Sequence, residues 1–137
     1  MTSSAHTALI QLMTVAALAD AEITQSELSR IEELVGRSPV FDGVDRRRVA
    51  EIVHESVRRL NTEDGLELVI DAAIAALPVK LQDTAYALAV EITALDLRLE
   101  QAELRFLEMM RDRMDIDRLT TAAIEASARA RYRRMPA

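Results

Sequence analysis

The stretch DAEITQSELSRIEELV, residues 20–35, reads as a helix stop followed by the start of an amphipathic helix, and its pattern occurs twice. The second copy is DLRLEQAELRFLEMMR, residues 96–111. Five residues recur in register: Asp20/Asp96, Gln25/Gln101, Glu27/Glu103, Leu28/Leu104 and Glu32/Glu108. The shared pattern is Asp-x-x-(Ile/Leu)-x-x-x-Glu, placed after an apolar helix in both halves. In the first copy Thr24 and Glu27 make a Thr-x-x-Glu capping box. Leu28, Ile31, Leu34 and Val35 then fall on one face at helical spacing. Two equivalent helix pairs, units of about 5–36 and 79–114, predict a closed pseudo-two-fold bundle, because stacked solenoids need three or more such units.

Outward from this repeat the chain is helical nearly throughout. A first helix is predicted from Ser4 to Ala19, with Leu9, Leu12, Met13 and Ala16 inward. Gly36 should end the second helix from the usual C-terminal position. Residues 37–44 (RSPVFDGV) form the longest loop. A third helix, about 45–60, should bury Val49, Ile52, Val53, Val57 and Leu60. Asn61 or Thr62 caps a fourth helix running to Leu77, and Pro78 opens the fifth. The fourth and fifth are apolar over more than half their circumference, including Ala72, Ala73, Ala76, Ala85, Ala87 and Ala89, which predicts central positions. A sixth helix covers about 100–113, and Asp117 caps a seventh from Arg118 to about Arg134. No stretch alternates like a strand. The expected fold is all-α: one compact domain over residues 1–137 with about seven helices.

Composition excludes several function classes. A chain of 137 residues is long enough to bury about two thirds of its unfolded surface without staples. The absence of cysteine removes disulfides, thiolate metal sites and cysteine nucleophiles together. Two histidines leave little for acid–base chemistry near neutrality. A net charge of −6 argues against nucleic acid and anionic membranes as partners. Residues 7–19 (TALIQLMTVAALA) resemble a signal core, but no Lys or Arg precedes them and Gln11 and Thr14 interrupt them. They are also too short to cross a bilayer. The expectation is a cytoplasmic protein with no integral membrane segment.

Candidate chemistry is sparse. Glu51-Ile52-Val53-His54 matches the Glu-x-x-His element of di-iron bundles, which needs a second copy, and His6 has Ser3 three residues before it. There is no Gly-x-Ser-x-Gly elbow, and three scattered glycines cannot make a phosphate loop. Arg46, Arg47 and Arg48, and the tail Arg129, Arg131, Arg133 and Arg134, lack interleaved aromatics and read as solvated faces. Met109, Met110 and Met114 with Phe106 read as core filler, with a Met-rich groove for a partner helix as the other reading.

The paired acidic turns, each after an alanine-rich helix, resemble the tellurite-resistance TerB-like family, and the closing segment MDIDRLTTAAIEASARARYRR resembles the last helix of such domains. The resemblance spans about residues 5–134. It implies a compact all-helical bacterial domain tied to tellurite and general stress resistance, which acts through protein partners rather than by catalysis. It also implies a divalent cation at the acidic turns, calcium or magnesium, with Asp20, Glu22, Glu27, Asp96 and Glu103 as ligands. Related domains precede the J-domain of certain co-chaperones, whose His-Pro-Asp tripeptide this chain lacks. Where the family's turn reads Asp-Gly-Glu, this chain has Asp20-Ala21-Glu22 and Asp96-Leu97-Arg98, and Arg98 places a positive charge where a cation would sit.

The residues themselves leave two accounts of these carboxylates open. Chain reversal brings Asp20 near Glu27, Glu22 adds a third donor, and hard cations prefer such oxygens. Equally, the capping box and the positive helix terminus explain Glu27, and turn amides explain Asp20. An EF-hand register fails, because counting from Asp20 puts Gln25 at position six and Ile31 at position twelve. The expected function is a non-catalytic stress-associated interaction domain. Its alternatives are a co-chaperone-type module gripping a partner helix without metal, and a small metal-assisted hydrolase on the acidic turns.

Overall fold

The computed structural model describes residues 3–18, 23–95 and 101–136, with the side chains of 95 and 101–104 outside that description. Seven α-helices follow one another: α1 (Ser4–Ala17), α2 (Gln25–Arg37), α3 (Arg47–Leu60), α4 (Gly65–Ala76), α5 (Gln82–Leu95), α6 (Gln101–Arg113) and α7 (Arg118–Arg131). Two single 3₁₀ turns, Pro39–Phe41 and Val79–Leu81, lie before α3 and α5. Among the described residues there is no strand, and the fold is all-α as expected.

The centre belongs to α1 and α5, which pack on each other. Helix α1 also packs on α3 and α4, while α5 carries α7 and α6. Apolar residues on nearly every side suit α1 to this place. Leu9, Ile10, Leu12 and Met13 are all essentially inaccessible. Its one inward hydroxyl, Thr14, donates to the Ile10 carbonyl at 2.8 Å, and Ser56 in α3 does the same to Ile52 at 2.7 Å. Such back-bonding lets a polar residue enter a core without an orphaned donor. Tyr86 on α5 is wholly buried and donates to Glu125 of α7 at 2.5 Å, and Arg111 of α6 meets the same carboxylate at 3.0 Å. Burial, followed by the hydrogen bond and charge of Glu125, raises the Tyr86 phenol far above its ordinary value, so it stays a neutral donor. This trio ties the last three helices together.

Helix starts follow the caps. Thr24 accepts from the Glu27 amide at 3.1 Å and Glu27 accepts from the Thr24 amide at 2.8 Å, the predicted capping box. Asp117 accepts from the Thr120 amide at 2.9 Å. Helix α1 has a box that the sequence reading did not anticipate, with Ser3 as cap and His6 in the acidic residue's role.

Several boundaries differ from expectation. Gly36 does not end α2, which continues through Arg37 to a cap at Ser38; the Arg46 guanidinium lies against the glycine, and a Cβ there would sit 2.5 Å from it. Helix α4 begins at Gly65 rather than after Asn61 or Thr62. Asp64 precedes it at φ 58°, and a Cβ on Gly65 would fall 2.2 Å from the Arg59 carbonyl. The chain thus folds back on the end of α3 so closely that only glycine fits. Pro78 starts a 3₁₀ turn instead of α5 itself. Finally, α4 is not central: Ala73 is buried, but Leu66, Leu68, Ala72 and Ala76 are exposed. Apolar composition alone could not separate it from α5, where Ala85 and Ala89 are fully buried. The equivalence of the two repeat units stays a sequence pattern, since the turns that define it, 19–22 and 96–100, lie outside the described residues.

Candidate functional site

Of the expected ligand set, Asp20, Glu22 and Asp96 lie outside the described residues, as does the side chain of Glu103. Glu27 is described, and one of its carboxylate oxygens is engaged by the Thr24 amide. That contact is the capping account of Glu27 in atomic form. Among the described residues no three acidic or histidine side chains converge as a metal site. Glu51 and His54 are both exposed on α3, and Glu51 faces Arg48 at 3.6 Å, in keeping with a solvated face.

Within the basic clusters, Arg47 lies 3.9 Å from Asp45 and Arg48 3.6 Å from Glu51. Arg131 does more than complement a helix end, because it reaches a buried acid.

That acid is Glu91. Residues 84–95 of α5 contain no other charge, and Glu91 is only 8% exposed. Arg131 grips it with both terminal nitrogens, at 3.0 Å to one oxygen and 2.8 Å to the other. Tyr132 donates its hydroxyl to the first oxygen, and Arg37 from the end of α2 approaches the same atom at 3.5 Å. Burial alone would push the Glu91 carboxyl up. The bonds from Arg131 and Tyr132 and the charges of Arg131 and Arg37 outweigh it and hold the group below its ordinary value. The same contact pushes the Tyr132 phenol up, after burial as the larger cause. A forked guanidinium–carboxylate pair fixes direction as well as charge, so Glu91 locks the C-terminal end of α7 and the end of α2 onto α5.

Beside this lock runs an open groove of about 740 Å³. Its floor is one face of α5, with Thr84, Ala87, Leu88 and Glu91 at i, i+3, i+4 and i+7. One wall is the end of α2 and the following turn, through Leu34, Arg37 and Val40, and the other is α7, through Ala123, Ile124 and Ser127. The lining is mainly apolar, with the guanidinia of Arg37 and Arg131 at one end. A volume of this order, apolar with few placed polar groups, is typical of a binding site.

His6 steadies the α2 wall. Its Nδ1 accepts from the Ser3 amide at 3.2 Å, so Nε2 carries the hydrogen and donates to the Val40 carbonyl at 2.9 Å. Sequence reasoning weighed His6 only as a metal ligand and passed over Glu91 altogether. The signal for Glu91 was present: a lone acid within an otherwise apolar helix must find a cation. Which cation could not be read, since Arg37 and Arg131 are 54 and 40 residues away.

Chemically, the lining offers apolar contact with two guanidinia and a few hydroxyls. Glu91 is fully engaged in ion pairs, and the other polar lining groups are the hydroxyls of Ser38, Thr84 and Ser127. No helix among the described residues is long and apolar enough to cross a membrane. No family model, curated protein or solved structure matches the chain.

Proposed function

We propose that the chain is a non-catalytic interaction domain of the TerB-like kind, acting in the bacterial response to tellurite and related stress by holding a protein partner. The observation that carries this reading is the groove over α5: a mainly apolar, two-walled channel with two arginines at one end. Its floor and walls come from α5, α7, the end of α2 and the turn that follows it.

The test is growth on tellurite of a bacterial host with and without this chain. Ala87 is half-buried in the groove floor, and Ala87→Gln fills the channel with a polar side chain of good helix propensity. The variant should keep its helicity and lose protection. Full protection by Ala87→Gln would contradict the groove, and indifference of the host to the wild-type chain would contradict the stress role.

A divalent cation at Asp20, Glu22, Glu27, Asp96 and Glu103 belongs to the same proposal as a modulator of the turns that precede α2 and α6. Calcium or magnesium at 100 times its dissociation constant should stabilise the fold by about 2.7 kcal/mol, raising the melting temperature by several degrees. Asp20→Asn should abolish the rise without loss of helix. An unchanged melting temperature with both ions would remove the cation and leave the partner-binding reading in place.

A further inference from the structure

Charge is not spread evenly along the chain. From Arg118 onward there are five arginines against one acid, Glu125, although the whole chain carries a net −6. Glu125 is taken up by Tyr86 and Arg111, and Arg131 is committed to Glu91. Arg118, Arg129, Arg133 and Arg134 are exposed, and none of them pairs with a carboxylate among the described residues. The helix dipole accounts for Arg129 in the last turn of α7 but disfavours Arg118 in the first. Asp117, beside Arg118, spends its carboxylate on the amide and hydroxyl of Thr120.

The same surface carries the two most exposed large apolar side chains among the described residues, Leu119 at 82% and Met135 at 91%. Each neighbours an unpaired arginine, Arg118 at one end and Arg134 at the other. Between them Ala122, Ala126 and Arg129 follow Leu119 at three- and four-residue steps and are all exposed, so they share the outward side of α7. The other side, through Thr121 and Ala128, is buried where α7 packs on α5. The outward side is thus a low surface of alanines between two protruding apolar groups, with its positive charge centred on Arg129, Arg133 and Arg134.

Its shape and its aromatics narrow what it fits. Single-stranded nucleic acid is held by stacking aromatics as well as by charge. Tyr132 is the only aromatic residue after Phe106, and it is half-buried with its hydroxyl on Glu91. Leu119 and Met135 stand out from the surface, which suits entry into a fluid interface. We infer that α7 and the tail lay this face on an anionic lipid surface, with the arginines on headgroup phosphates and Leu119 and Met135 at the boundary of the acyl chains. The attachment is peripheral and independent of what the groove holds.

The test is co-sedimentation of the full chain at low ionic strength with vesicles of phosphatidylglycerol and phosphatidylcholine in equal parts, and of phosphatidylcholine alone. The chain should bind the first and not the second, and added salt should release it. A basic side chain near such a surface strengthens binding about fivefold, so Arg129→Gln, Arg133→Gln and Arg134→Gln together should weaken it about a hundredfold. Leu119→Gln with Met135→Gln should weaken it about fivefold or more. Arg59→Gln on α3, an exposed arginine outside this face, should change nothing. Every substituted side chain is exposed, and circular dichroism checks that the helices remain. Absence of binding to the anionic vesicles, equal binding to both kinds, or indifference to the triple arginine variant would overturn the inference. So would binding undiminished by Leu119→Gln with Met135→Gln. Poly-glutamate held as tightly through the same arginines would overturn the lipid surface in favour of an acidic protein.

Discussion

Replacing Glu91 by Gln keeps the side chain's shape but leaves Arg131 and Arg37 without their shared counter-charge. Losing one partner of a deeply buried pair costs about 3–5 kcal/mol. Here both arginines are about half exposed and can turn toward water, so a smaller loss is expected, about 1–3 kcal/mol by urea denaturation. The same pair sets an acid limit. Because the folded state holds the Glu91 carboxyl below its ordinary value of 4.5, its contribution is complete above that value and disappears as pH falls through the lower folded one. The wild-type chain should therefore lose stability more steeply below pH 4.5 than Glu91→Gln does. Parallel acid titrations of the two proteins would contradict the lock.

Helix α4 shows what a single element can and cannot disclose. Its junction with α3 depends on Gly65, whose added Cβ would meet the Arg59 carbonyl. Gly65→Ala should cost about 1–3 kcal/mol, as overpacking does against backbone that must shift. Leu68, one turn further along, is 60% exposed, and Leu68→Gln should stay within about 0.5 kcal/mol. Thermal unfolding of the two variants reads both outcomes, and a costly Leu68→Gln would mean that this face is covered. Helix existence, order and two of the caps were legible because they depend on local chemistry: Thr24 with Glu27, and Asp117 with Thr120, act within one turn. The exposure of α4 and the fit of Gly36 against Arg46 were not, since both depend on what packs from elsewhere in the chain. The acidic repeat drew attention for its regularity, whereas the groove is assembled from three separate helices and has no contiguous motif.

Across the described residues, α1 and α5 form a shared core pair, and α7 is bonded to α5 through buried polar groups. Tyr86 and Glu125 fasten α7 at one point, and Arg131 and Glu91 fasten it at another one turn or so apart along α5. The side-chain amide oxygen of Gln82 accepts from the Asp115 backbone amide at 2.8 Å, so the start of α5 also holds the segment leading into α7. A groove wall fixed at several points changes little on binding, which lowers the entropic cost of holding a partner. The central claim, that this groove is where the chain meets a protein, is tested most directly by photo-crosslinking in tellurite-challenged cells. A crosslinking residue replaces Ala123, exposed on the α7 wall, and a control replaces Arg47 on α3, which does not line the groove. The account predicts a discrete protein adduct from position 123 that disappears when Ala87→Gln is added, and none from position 47. No adduct at 123, or the same adduct from both positions, would contradict it.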